Sequence, residues 1–211
     1  MKSEQSLRRE FSSLNKIIAV SKTKPIEAIH EAMKQGYRDF GENKAQELKE
    51  KAQLLPNLTW HFIGHLQSNK VKDVVKYASY IHSVDSIKLI ETIEKECVKQ
   101  AKKLNILIQV NLTHEDQKSG CEESELISLL DRANETSSLN CVGLMVIGPT
   151  SVDLDMTRSI FKKAKQLLIE LQKDYPSLTE LSMGMSQDYP IAIEEGSTMI
   201  RVGTLIFGQR H

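Results

Sequence analysis

The chain is short of the features that most readily mark a function class. Aromatic residues make up 5% of its 211 positions, five Phe, five Tyr and one Trp, too few for a platform on which unpaired bases stack. Charge of one sign is missing too. The chain sets 28 Lys+Arg against 28 Asp+Glu for a formal net charge of zero, which argues against a large basic surface for DNA or RNA. The three cysteines, Cys97, Cys121 and Cys141, form no CxxC pair, so neither a disulfide framework nor a metal site is expected. No apolar run reaches the roughly 18 residues of a membrane-spanning helix, and mean hydropathy is -0.34. The opening segment MKSEQSLRREFSSLNK lacks the apolar stretch of a secretory signal. Asn57, Asn111 and Asn134 each open an Asn-X-Thr triplet and read as chance matches. The expectation is a cytoplasmic protein with no membrane and no nucleic-acid partner. Glycine-rich phosphate loops of the GxGxxG or GxxxxGK[ST] type are also absent.

What is present is alternation: short apolar runs separated by longer segments of helical period. Strands are expected at Ile17–Val20, Tyr37–Phe40, Thr59–Ile63, Tyr80–Val84, Ile106–Val110, Val142–Ile147, Leu178–Ser182 and Thr198–Val202. The first helix carries Ile26, Ile29 and Met33 on one face and ends at Gly36. Further helices are expected at 42–55, stopped by Pro56, and at 68–78, 87–104, 124–134, 155–173 and 189–195. Every strand but the last is followed by a helix. An amphipathic N-terminal segment around Leu7, Phe11 and Leu14 is available to supply the eighth. Eight uninterrupted β/α units with near-continuously apolar strands predict a closed (β/α)8 TIM barrel, in one domain spanning 1–211. The alternative, an open doubly wound sheet, would want the missing glycine-rich loop.

Barrel enzymes place their chemistry at the C-terminal ends of the strands and often bind phosphate after strands seven and eight. The first strand runs into Ser21-Lys22-Thr23. A lysine at a barrel mouth can serve as an amine nucleophile, although from position alone a surface lysine weighs equally. After strand seven comes Ser182-Met183-Gly184-Met185-Ser186, two hydroxyls and a glycine before a short helix, and after strand eight Gly203-Thr204. Together they read as a phosphate cradle. An aldehyde-reactive lysine facing a phosphate cradle is what pyridoxal 5′-phosphate (PLP) requires.

The segments IIAVSKTKP (17–25), FGENKAQE (40–47), WHFIGHLQSNK (60–70), IHSVDS (81–86), IQVNL (108–112), GLMVI (143–147), LSMGMSQD (181–188) and GSTMIRVGTLIFGQR (196–210) follow one another in order. On these segments the sequence resembles the pyridoxal phosphate homeostasis protein family, whose barrel is similar to the N-terminal domain of alanine racemase, the fold type III PLP class. The resemblance implies that PLP is held as an aldimine on Lys22. It also implies that Ser182, Gly203 and Thr204 hold the phosphate, that Met183 and Gly184 shape the loop, and that Arg201 approaches the pyridine nitrogen. Asn43 and His61 match positions on the ring side, although His61 in a Trp-His-Phe strand could equally face the core. An interior salt bridge is the other reading of Arg201. The stretch before IIAVSK is shorter than the family pattern, so a curtailed N-terminal helix is expected, and the Gly148-Pro149 loop departs from it as well.

Three functions compete: a non-catalytic protein that holds PLP and passes it to apo PLP-dependent enzymes, an amino-acid racemase, and a barrel binding some other phosphorylated metabolite. Racemisation needs acid/base groups on both faces of the substrate carbon. The racemases that this barrel resembles take the opposing tyrosine from a second β-domain and a partner subunit. This chain ends soon after its eighth strand, leaving only internal substitutes such as Tyr80 or Tyr189. The expectation is therefore a monomeric, non-catalytic PLP carrier of vitamin B6 homeostasis. The acidic pairs Glu122-Glu123 and Glu194-Glu195 are expected on solvated helix faces.

Overall fold

The computed structural model describes residues 3–10, 14–113, 115, 119–150 and 153–208. Among them β1 (Lys16–Val20), β2 (Asp39–Glu42), β3 (Thr59–Phe62), β4 (Tyr80–Val84), β5 (Leu104–Gln109), β6 (Leu139–Met145), β7 (Glu180–Ser182) and β8 (Met199–Val202) pair in parallel in chain order. β8 returns to β1, with Lys16 opposite Met199 and Ala19 opposite Val202, so the sheet closes into the expected (β/α)8 barrel. Around it lie α1 (Glu4–Glu10), α2 (Ile26–Lys34), α3 (Ala45–Leu54), α4 (Val71–Tyr77), α5 (Ile87–Lys99), α6 (Leu126–Asn134), α7 (Leu154–Leu171), α8 (Tyr189–Glu194) and α9 (Thr204–Phe207).

Three boundaries differ from expectation for physical reasons. β2 begins at Asp39 and runs through Glu42, where a helix was expected to start. Both of its acidic ends have buried polar partners that offset the poor strand propensity of Asp and Glu. α5 stops at Lys99, because Leu104 is needed opposite Leu139 in the barrel. A short helix, α9, follows β8, where none was expected. At the N-terminus, α1 buries Leu7 fully, and the Glu4 amide donates to the Gln35 carbonyl at 3.1 Å. Phe11, the middle of the expected apolar stripe, lies outside the described residues.

Period-two alternation sorts each strand between two interiors. On β1, Ile17 and Ala19 face the shell between sheet and helices, where most of the apolar core lies. Ile18 faces the lumen, where it clusters with Leu107, Met145 and Met199. Each such side chain contributes about 1.5–3 kcal/mol by leaving water. The register slips between Ile106 and Leu107 where β5 meets β6. Gly143 sits just beyond that slip, and a Cβ there would stand 1.8 Å from the Glu180 carbonyl oxygen. Only glycine lets β6 and β7 approach so closely.

Candidate functional site

The inward face of β1 carries Lys16, Ile18 and Val20, and the same two-residue step leads to Lys22 on the turn that follows. Lys16 is at the barrel floor, 3.4 Å from Asp39. Val20 and Lys22 line a cavity of about 400 Å³ at the mouth, together with Asn43, Arg201, Gly203 and Thr204. That volume lies within the usual range for small-molecule sites.

A buried ionic network holds the turn that carries Lys22. Lys51 Nζ, from α3, donates to the Ser21 carbonyl at 2.8 Å, to Glu42 Oε1 at 2.7 Å and to Glu47 Oε2 at 3.0 Å. Ser21 Oγ donates to Glu42 Oε1 at 2.7 Å, and the Thr23 amide donates to Glu47 Oε2 at 2.7 Å. Thr23 is held at φ 62°, a conformation that β-branched residues seldom adopt. Burial raises the Glu42 carboxyl above its ordinary value, against the opposing pull of Lys51 and Ser21. Its Oε2 is buried without a hydrogen-bond partner.

Across the mouth, the Gly203 amide donates to Ser186 Oγ at 3.1 Å, which leaves the Ser186 hydroxyl hydrogen to point elsewhere. Ser186, Gly203 and Thr204 all line the cavity, as does Lys24. Asn43 Oδ1 is buried and has no partner. Its backbone is pressed against Gly64, where a Cβ would lie 2.2 Å from the Asn43 carbonyl oxygen, so no larger residue fits there.

Arg201 is 5% exposed and reaches the cavity from β8. Its NH1 donates to Ser182 Oγ at 2.7 Å and its NH2 to the Val146 carbonyl at 3.1 Å. It forms no salt bridge among the described residues, so the interior ion-pair alternative does not hold. Burial pulls the guanidinium down to about 10, with Asp188 opposing, and it stays charged at neutral pH.

Behind Arg201 a buried chain continues: Ser182 Oγ to His82 Nδ1 at 2.9 Å, His82 Nε2 to His61 Nδ1 at 2.9 Å, and His61 Nε2 to Asp39 Oδ1 at 2.9 Å. Burial lowers both imidazoles below the ordinary histidine range, His82 the further of the two. Burial alone would raise Asp39, but its contacts with His61 and Lys16 outweigh that and hold it below the carboxylate norm.

Of the residues singled out in the sequence, Lys22, Asn43, Arg201, Gly203 and Thr204 converge on the cavity; His61, Ser182, Met183 and Gly184 are not on its wall. Ser182 ends β7 pointing into the lumen below the cavity, and His61 is fully buried further down, stacked on Tyr80 at 4.5 Å. Met183 packs in the shell core. Gly184, at φ 95°, turns the loop, and a Cβ there would lie 2.6 Å from the Ala192 Cβ. The hydroxyl that does reach the wall is Ser186, the other serine of the same SMGMS segment. Sequence reasoning also missed His82 and the Glu42–Glu47–Lys51 group. Each had a signal: His82 is two residues from Tyr80 on one strand, and Glu47 and Lys51 are four apart on a helix.

The alanine racemase, N-terminal domain family matches residues 5–211, which defines the class of barrel. A pyridoxal phosphate homeostasis protein of Aquifex aeolicus is 41% identical over 198 residues, covering 92% of this chain and 87% of that protein. One from Escherichia coli K12 is 39% identical over 202 residues, covering 92% and 85%. The chain belongs to the pyridoxal phosphate homeostasis protein family. Among solved structures, PipY of Synechococcus elongatus without PLP superposes at TM-score 0.91 with 41% identity, covering 97% of each chain. The same protein with PLP bound superposes at 0.89 with 40% identity and the same coverage. Alanine racemase of Clostridium difficile, at TM-score 0.80 but 14% identity, covers 92% of this chain and 52% of that one, and shares the fold alone.

Proposed function

We propose that this one-domain barrel is a monomeric, cytoplasmic PLP-binding protein of vitamin B6 homeostasis. It holds the cofactor covalently and reversibly through Lys22, releases it to apo PLP-dependent enzymes, and has no strong catalytic activity of its own. The observation that carries this reading is the convergence of a primary amine, a guanidinium and a hydroxyl–glycine loop on one cavity of about 400 Å³. The residues present fit the cofactor: Asn43 Oδ1 is a buried acceptor still lacking a donor, and Gly203 leaves the wall without a side chain beside Ser186. The similar PipY structure with PLP bound supports the same reading.

Bound there, PLP supplies an aldehyde carbon that a primary amine attacks reversibly. Lys22 provides that amine, on a turn that Lys51, Glu42 and Glu47 fix in place. Ser186, Gly203 and Thr204 hold the phosphate, and Lys24 adds positive charge nearby. Ser182, Met183 and Gly184 serve from behind, Ser182 through Arg201 and the other two by shaping the loop. Asn43 and Arg201 contact the ring, and His61 acts only through the chain behind Arg201.

A permanently charged donor at the ring nitrogen disfavours its protonation and so weakens the electron sink that racemisation would draw on. Neither Tyr80 nor Tyr189, the internal candidates for an opposing acid/base group, lines the cavity. Borohydride reduction of the PLP-treated protein followed by peptide mapping tests the proposal. The expected adduct is on the Lys22 peptide and absent from Lys22→Ala. An adduct on another lysine, or amino-acid racemisation well above the Lys22→Ala background, would overturn it.

A further inference from the structure

The hydrogen-bonded chain through the lumen has a direction. Asp39 is held ionised and can only accept, so His61 Nε2–H donates to it. His61 is then left with an acceptor at Nδ1, which takes the Nε2–H of His82. His82 in turn accepts at Nδ1 from the Ser182 hydroxyl, leaving the Ser182 lone pairs for Arg201 NH1. Each proton position dictates the next over four bonds, from the partly exposed Asp39 at the floor to Arg201 at the cavity. If His82 carried its proton at Nδ1, its Nε2 would face the unprotonated His61 Nδ1 with no hydrogen between them, and the Ser182 hydroxyl would lose its acceptor.

We propose that Ser182, His82, His61 and Asp39 are positioning residues for Arg201, a buried chain that fixes the guanidinium as an oriented donor to the ring of bound PLP. This rests on the function proposed above. The charged and titratable groups facing the two imidazoles are Lys16 from β1, Asp39 from β2, Tyr80 from β4, Glu180 from β7 and Arg201 from β8. Of these, Asp39 alone hydrogen-bonds an imidazole, so its charge sets the polarity of the chain. The lower half of the barrel interior thereby acts on the ligand without touching it.

The test compares wild type, Ser182→Ala, Asp39→Asn and Arg201→Lys. Each is loaded with PLP, and the absorbance of the bound chromophore is followed from mildly acidic to alkaline pH, with affinity measured in parallel. Ser182→Ala is expected to weaken binding about fivefold, the loss of roughly one hydrogen bond. It should also move the pH midpoint of the chromophore in the same direction as Arg201→Lys. Asp39→Asn is isosteric and reaches the surface, so it remains informative if Ser182→Ala fails to fold. It is expected to move the midpoint with a smaller loss of affinity. Wild-type midpoints in both Ser182→Ala and Asp39→Asn, beside a shifted Arg201→Lys, would overturn the chain's role and leave the PLP site standing. A wild type with no bound chromophore, or a spectrally silent Arg201→Lys, would overturn the underlying reading and the positioning role with it.

Discussion

At the barrel mouth, the buried Glu42 and Lys51 and the partly exposed Glu47 gather three ions around the turn bearing Lys22. Along the barrel axis, Asp39, His61, His82 and Ser182 connect floor to mouth through neutral groups, with charge only at the two ends. In the mouth network one cation serves two carboxylates, and Glu42 Oε2 is left without a donor. In the axial chain both ring nitrogens of each histidine are used. The difference follows from what each must hold. A short ionic knot pins a backbone turn, and its strength depends on desolvation. A saturated neutral relay transmits orientation, and its strength depends on each link keeping its proton where the next requires it.

Removing the central cation should break the mouth network first and hardest. Lys51→Met strands a buried carboxylate, and is expected to destabilise the protein by about 3 kcal/mol in urea melts while abolishing the Lys22 adduct. His82→Asn removes one relay group of the axial chain and leaves a void. It is expected to cost less, about 2 kcal/mol, and to retain the adduct with an altered spectrum. Equal losses of stability and adduct in the two variants would erase the distinction between knot and relay.

Acid acts with opposite signs on the two axial histidines and on Glu42 of the mouth network. The folded-state values of His61 and His82 lie below the ordinary 6.5. As pH falls through that value the unfolded chain therefore takes up protons that the native lumen refuses, and stability declines. Glu42 lies above its ordinary 4.5. Between 4.5 and that raised value the native state holds more protons than the unfolded chain, so acidification there favours the fold. The urea midpoint measured against pH is expected to lose part of its acid decline in His82→Asn and to decline more steeply in Glu42→Gln. Parallel profiles would show that one of the two groups does not titrate as assigned.

The barrel was legible because its strands and helices repeat with clean periods. β4 is found at Tyr80–Val84 as read, and α2 begins at Ile26 with Gly36 at φ 103° just beyond its end. Of the residues on the cavity wall, Lys22, Gly203 and Thr204 follow directly from strand ends and were legible for the same reason, whereas Asn43 and Arg201 were singled out only by the family resemblance. Ser182 and Ser186 were not separable. Which serine of SMGMS reaches the cavity depends on where Gly184 turns the loop, and that is set by tertiary contact with Ala192. His82 could be placed beside Tyr80 on β4 but not given a role, because its partners Ser182 and His61 come from other strands, 100 and 21 residues away. The acidic pairs behaved nearly as expected. Glu194 and Glu195 pair with Arg158 at 2.6 and 2.5 Å on an exposed face, where such contacts contribute little.

The smallest expected effect on stability sharpens the comparison most, because it separates strain from charge within the mouth. Thr23 occupies φ 62° and donates its amide to Glu47. A β-branched residue there costs about 1–2 kcal/mol of local strain. Thr23→Gly relieves that strain but adds roughly 1 kcal/mol of unfolded-state entropy, so the net change in the urea midpoint is expected to be close to zero. The amide donor is unchanged, so the ionic knot remains. What is lost is the stiffness of the residue next to Lys22, and PLP affinity is expected to fall several-fold as the amine samples more positions. A variant that is as stable as wild type and binds PLP equally well would show that the knot alone presents the lysine. Lower affinity at unchanged stability would assign that work to the strained turn, for which the axial chain has no counterpart.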